Sequence, residues 1–191
     1  WLGLAVLSVF DGKLSDEGKL AQLEDNIGKA RALPHDALTV YHTHFNCLMR
    51  LGLRDAARTL TEEYAQTLTD DKEALQRCSD HAFINGQTGL AEEMGARLSK
   101  LGVDVSASSD QIRDLKEALS EDDLKPLLAQ AARTLRDFGL IDMSCHTERT
   151  EDGVFFDMGL LADSDIEKAA ECDIALTRLK VRYARENGIN L

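Results

Sequence analysis

The chain has 191 residues, 43% hydrophobic and 29% charged, a balance that supports a packed core and excludes wholesale disorder. Its 34 acidic residues outnumber 22 basic ones, for a formal charge of −12. That argues against nucleic acid, whose binding needs a basic face to displace counterions, and against anionic membrane surfaces.

The opening run Trp1–Phe10 is apolar but about half the roughly 20 residues that span a membrane. No basic residue precedes it and no small-x-small site follows it, so it reads as a buried helix rather than a signal segment. The lack of an initiating Met implies residues upstream of Trp1. Leu14–Ala32 carries Leu20, Leu23, Ile27 and Ala30 at amphipathic-helix spacing, and Pro34 ends it. Asp36 caps a helix over Ala37–Leu51 that buries Leu38, Tyr41, Phe45 and Leu48. Leu53–Leu68 buries Ala57, Leu60 and Tyr64. Asp70 and Glu73 resemble a capping box and open a third helix bearing Leu75, Cys78, Ala82 and Phe83. Thr88–Leu101 follows with Ala91, Met94 and Leu98, closed by Gly102.

The small polar run Val103–Ser109 reads as a linker. A short helix over Gln111–Leu119 comes next, then a longer one from Ser120 to about Phe138 with Pro126 in its first turn. Beyond Gly139 the apolar period changes to two. Met143–Thr150 and Val154–Leu161 flank Asp152-Gly153, the signal of a β-hairpin. The last helix runs from Ser164, boxed with Glu167, to a stop at Asn187-Gly188, and its apolar residues cover more than half its circumference, which predicts a largely buried helix packed on the hairpin and on the Asp123–Phe138 helix. The expected fold is mostly α. Stacked antiparallel helical hairpins occupy residues 1–104, and a small α+β unit occupies 105–191, with a β-hairpin at about 143–161 and a C-terminal helix at about 164–187.

A repeat runs through the first part. Gly52 and Gly86 are 34 residues apart, as are Ala57 and Ala91. The same offset brings Tyr41 onto Leu75, Leu48 onto Ala82, Leu60 onto Met94 and Tyr64 onto Leu98. That interval is the period of a helix–turn–helix repeat. Over about residues 38–104 the chain resembles the tetratricopeptide repeat (TPR) family, whose pattern places Gly near the end of helix A and Ala five residues later in helix B. It departs from that pattern in lacking a Trp-x2-Leu-Gly start, and in carrying Thr61 and Gly95 where the family prefers an aromatic. The interior Gly95 costs about 1 kcal/mol against Ala.

The resemblance implies a concave groove lined by the A helices that takes an extended peptide or partner helix. Its groove positions fall on His42, Asn46, Met49 and Arg50 in the first repeat, and on Gln76, Asp80, Phe83 and Ile84 in the second. His42, Asn46 and Arg50 then form one helical stripe suited to a ligand's amides and carboxylate, while Asp80 argues for a mixed, partly apolar ligand.

Other constellations point less far. His42 and His44 project about 200° apart on a helix and cannot share one metal ion; with Cys47, Cys78 and His81 they read as core residues, and no metal or cofactor is expected. Cys145-His146 lies on a predicted strand, whose neighbours face opposite ways, which argues against a nucleophile–base pair. Four scattered cysteines without CxxC spacing predict reduced thiols in a cytoplasmic protein. Arg178, Arg182 and Arg185 share a face near the end of the last helix, as a basic patch for a phosphate or acidic partner or for the protein's own carboxylates. The functional expectation is a non-enzymatic interaction or adaptor module with a protein or peptide partner, and homodimerisation is an option. The alternatives are an acidic regulator or immunity-type protein neutralising a basic partner, and an enzyme with its site between the two units.

Overall fold

The computed structural model describes the backbone of residues 1–138, 142–150, 153–160 and 166–188, and the side-chain surroundings of 1–138 and 167–188. Among them the element order is α1 (Leu2–Phe10), α2 (Asp16–Arg31), α3 (Ala37–Arg50), α4 (Arg54–Thr67), α5 (Lys72–Ile84), α6 (Thr88–Lys100), α7 (Ser106–Ala118), α8 (Glu121–Asp137), β1 (Asp142–Thr150), β2 (Gly153–Leu160) and α9 (Ile166–Asn187). The chain divides into two compact units, Trp1–Gln66 and Thr67–Leu191. The division falls between the two hairpins rather than at the polar run near residue 104.

The first unit packs α1 to α4. Ser15 caps α2 by accepting the Gly18 N–H at 3.2 Å, and Asp36 caps α3 by accepting the Thr39 N–H at 2.8 Å. Its core joins Ala5 and Val9 of α1 and Leu23 and Ile27 of α2 to Val40, Tyr41, Phe45 and Leu48 of α3 and Ala57 and Leu60 of α4. Helix α1 corrects the expectation of a buried helix. It buries only Ala5, Ser8 and Val9, and leaves Leu4, Leu7 and Phe10 exposed, because its partners α2 and α3 cover one side of it.

The second unit begins with α5, capped by Asp71 accepting the Ala74 N–H at 3.1 Å, one residue later than expected. Helices α3, α5 and α7 start at residues 37, 72 and 106, and α4, α6 and α8 at 54, 88 and 121. The 34-residue period thus continues into a third hairpin. The run read as a linker contains the first turn of α7, whose Ser106 N–H is held by Asp104 at 3.0 Å. Nine helices among the described residues, with this periodicity, are compatible with a helical repeat fold.

The turns repeat as well. After α3, α5 and α6 the chain passes through Gly52, Gly86 and Gly102 at φ of 70°, 70° and 78°. In each case the glycine N–H bonds the carbonyl three residues back, and the next N–H bonds the one five back: Gly52 to Met49 and Leu53 to Leu48, Gly86 to Phe83 and Gln87 to Ala82, Gly102 to Ser99 and Val103 to Leu98. This is the Schellman arrangement that satisfies orphan carbonyls at a helix end.

The fold-class expectation needs correction. A small α+β unit appended to a repeat module is not what forms: the described cores of the second unit come from α5 to α9 alone. The mostly-α class holds. The physical reason is that α7 and α8 continue the hairpin period and supply helix-on-helix packing, with Leu115, Leu124, Leu128 and Leu135 meeting Cys172, Leu176, Leu179 and Tyr183 of α9. The backbones of β1 and β2 pair antiparallel from Asp142↔Leu160 to Thr150↔Gly153, with an irregularity between Asp142 and Ser144. Gly153 therefore sits in a strand rather than in the turn; Asp152 and the Ser164 cap lie outside the described residues.

Two further expectations shift. Helix α9 buries one face and exposes Ile174 and Val181 on another, so it is not buried all round. Pro126 lies inside α8, past its first turn, where the missing N–H leaves the Asp122 carbonyl without its helical donor.

Candidate functional site

The groove residues of the first hairpin lie on α3, where His42, Asn46, Met49 and Arg50 are all half-buried. Asn46 Nδ2 lies 3.1 Å from His42 Nε2, one helical turn away, and as donor it requires the unprotonated face of that nitrogen. The Arg50 guanidinium sits 5.0 Å over the Phe10 ring of α1, a cation–π contact that takes it out of the polar stripe. Met49 packs against the core.

In the second hairpin Gln76 and Asp80 occupy the equivalent positions on α5. The Gln76 amide donates to Asp80 Oδ1 at 2.9 Å. Each hairpin therefore ties a polar pair along its first helix at the same step of the repeat. Phe83 is half-buried and packs against both cores of the second unit; Ile84 is also half-buried. The structure brings together His42 with Asn46, and Gln76 with Asp80.

His44 is buried, with Nε2 2.9 Å from Glu24 Oε1 and Nδ1 3.4 Å from the Arg31 guanidinium. The arginine has no acceptor capacity, so Nδ1 accepts and Nε2–H donates, which is the neutral tautomer. Burial holds His44 below the ordinary imidazole range, and the hydrogen bond to Glu24 pulls the other way. Cys47, Cys78 and Cys172 are free and buried. Burial pushes the Cys47 thiol up to about 11 and raises Cys172 as well, so neither supplies a thiolate near neutral pH. The side chains of Cys145 and His146 lie outside the described residues. Among the described residues no group of three or more His, Cys, Asp or Glu side chains is placed to hold a metal, and no helix is long and apolar enough to cross a membrane. Arg178, Arg182 and Arg185 are exposed on α9.

Two features escaped the sequence. Helix α6 has no cap from its own N-cap residue, Gln87. Instead Glu121 of α8 reaches across, with Oε1 accepting from Thr88 Oγ1 at 2.9 Å and from the Gly89 N–H at 2.5 Å. A carboxylate at a helix N-terminus is favoured by the helix dipole, but only the tertiary fold brings this one there. The second feature is a cavity of about 80 Å³ among α5, α6 and α7, opening over Gly95. The interior glycine was its one visible signal.

Comparison with family models, with curated proteins and with solved structures found no match for this chain.

Proposed function

We propose that this chain is a cytoplasmic, non-enzymatic interaction module of TPR-like hairpins that binds an extended peptide or a partner helix through the polar residues its repeats carry, His42 and Asn46 on α3 in the first unit and Gln76 and Asp80 on α5 in the second. The observation that supports this reading is the 34-residue recurrence of helix starts, glycine turns and polar pairs. Repeat arrays of this kind present a regular surface rather than a single reactive centre. The enzyme alternative has less support, because burial raises the Cys47 and Cys172 thiols and both ring nitrogens of His44 are engaged.

The test is affinity capture from the native cell extract with wild type and with Asn46→Ala/Gln76→Ala, two positions outside the described cores. Loss of a specific partner in the variant supports the reading; equal capture by both discards the assigned residues. A second reading, an acidic regulator that neutralises a basic partner, is favoured by the charge of −12. It predicts that association weakens steeply with salt, whereas a partly apolar peptide site predicts weak salt dependence.

A further inference from the structure

Helix α9 presents two unlike sides. Cys172, Leu176, Leu179 and Tyr183 enter the core of their own unit, while Ile174 and Val181 stand 51% and 58% exposed. At about 100° per residue these two share a face, within about 40° of directly opposite the buried set.

The charges beside them are sorted along the helix. Glu167 and Glu171 lie within about 60° of Ile174 in the first half of α9, and Arg178, Arg182 and Arg185 within about 80° of it in the second. All five are exposed and stand on the same flank of the face. Each half repeats one sign at i, i+4, Glu167 with Glu171 and Arg178 with Arg182, a spacing that repels along a single helix. Among the described residues none of the five forms an ion pair. The helix dipole favours an acid in the first turn and a base in the last. That accounts for Glu167 and Arg185, but it reaches neither Glu171 nor Arg178 and Arg182.

We propose that this face docks on the same face of a second copy of the chain, α9 against α9, antiparallel about a two-fold axis between Thr177 and Arg178. In that register Ile174 meets the partner's Val181, and Glu171 meets the partner's Arg185 with the partner's Arg182 within one turn. The symmetry makes each contact twice, and the acidic half of each helix lies along the basic half of the other. A parallel pairing sets like against like. Beside the axis Arg178 faces the partner's Arg178, a like-charge contact that opposes the rest. One helix face per copy makes a small interface, below the roughly 1,200 Å² of standard ones, so the dimer is weak, with a dissociation constant on the order of 10–100 µM. The inference is independent of the peptide-binding reading, whose residues lie on α3 and α5.

The test is sedimentation equilibrium of the full chain from about 1 µM to about 1 mM. Salt is held at about 0.1 M, where a screening length of about 10 Å damps the overall charge but not the contacting pairs. A reversible monomer–dimer equilibrium is expected. Glu171→Arg and Arg185→Glu should each weaken it about tenfold or more, by setting like charges opposite. Mixing the two variants should restore association, because both cross-pairs are then opposite in sign. Arg178→Ala should tighten the dimer a few-fold, whereas a surface built for an acidic partner gains nothing from losing an arginine. Monomer throughout that range overturns the proposal and leaves the arginines to an acidic partner. A dimer that survives both charge reversals overturns it too, and moves the contact to another surface such as the exposed Leu4, Leu7 and Phe10 of α1. Failure of the mixed variants to associate, or a looser dimer with Arg178→Ala, rejects the antiparallel register.

Discussion

The α3–α4 and α5–α6 hairpins share a period, a turn and a set of buried positions, yet they fill their interiors in different ways. In the first, Tyr41 stacks on Tyr64 with ring centroids 3.9 Å apart, and its hydroxyl donates to Thr61 at 3.3 Å. In the second, the equivalents are Leu75, Leu98 and Gly95, and Leu98 and Gly95 line the cavity. The turns diverge in the same manner. Gly86 is pressed by α8, whereas Gly102, with the same backbone sign, stands in open space. One repeat frame therefore carries a filled hairpin and a hollow one, and the difference lies in what the neighbouring side chains supply, not in the backbone.

The largest expected effect breaks the shared turn. At Gly86 an added Cβ lies 2.8 Å from Leu128 Cδ1 and 3.3 Å from Leu124 Cβ, and φ is +70°. Gly86→Ala should cost about 3 kcal/mol or more, from left-handed strain plus overpacking, measured by urea denaturation. Gly102→Ala, with φ of +78° and nothing within 4 Å, should cost only about 1 kcal/mol. Equal losses at the two sites would remove α8 from the account of Gly86.

Next in size, Glu121→Ala strips the N-terminus of α6 of its acceptor and should cost about 1–2 kcal/mol. Hydrogen exchange at Thr88 and Gly89 should rise above that elsewhere in α6. Gly95→Ala runs the other way. It should stabilise by about 1 kcal/mol, since the helix gains propensity and the Cβ meets open space. A loss of stability there would mean that the hollow hairpin is already closed in solution.

The smallest effect is a pH dependence confined to the filled hairpin's unit. His44 faces Glu24, Arg31 and Glu63, and burial lowers its folded-state pKa. Its contribution is complete above the unfolded pKa of about 6.5 and is lost as pH falls through that value towards the lower folded one. Urea midpoints should therefore decline below about pH 6.5, and His44→Gln should flatten that decline.

Much of the helical frame was legible from residue type alone. Asp36 and Ser120 cap where their short oxygen-bearing side chains precede an amphipathic run, and Gly52, Gly86 and Gly102 end helices where only glycine adopts positive φ without penalty. The third hairpin was not legible. Ser120 and Lys125 stand where the earlier hairpins have Gly and Ala, and the polar run Val103–Ser109 hides the start of α7. Of the candidate site, the pairs His42 with Asn46 and Gln76 with Asp80 followed from helical spacing. The turning of Arg50 onto Phe10 did not, because it depends on a partner far away in sequence.

By itself the sequence determined the mostly-α class, the 34-residue frame and the places where helices end, since these follow from periodicity, capping and the left-handed preference of glycine over a few neighbouring residues. Only the tertiary structure decided that α1 buries one side of its apolar run, that Glu121 caps a helix more than 30 residues away, and that Gly95 opens a cavity rather than merely weakening α6. Each of these depends on which surfaces meet, and packing between elements distant in the chain leaves no local pattern from which to read it.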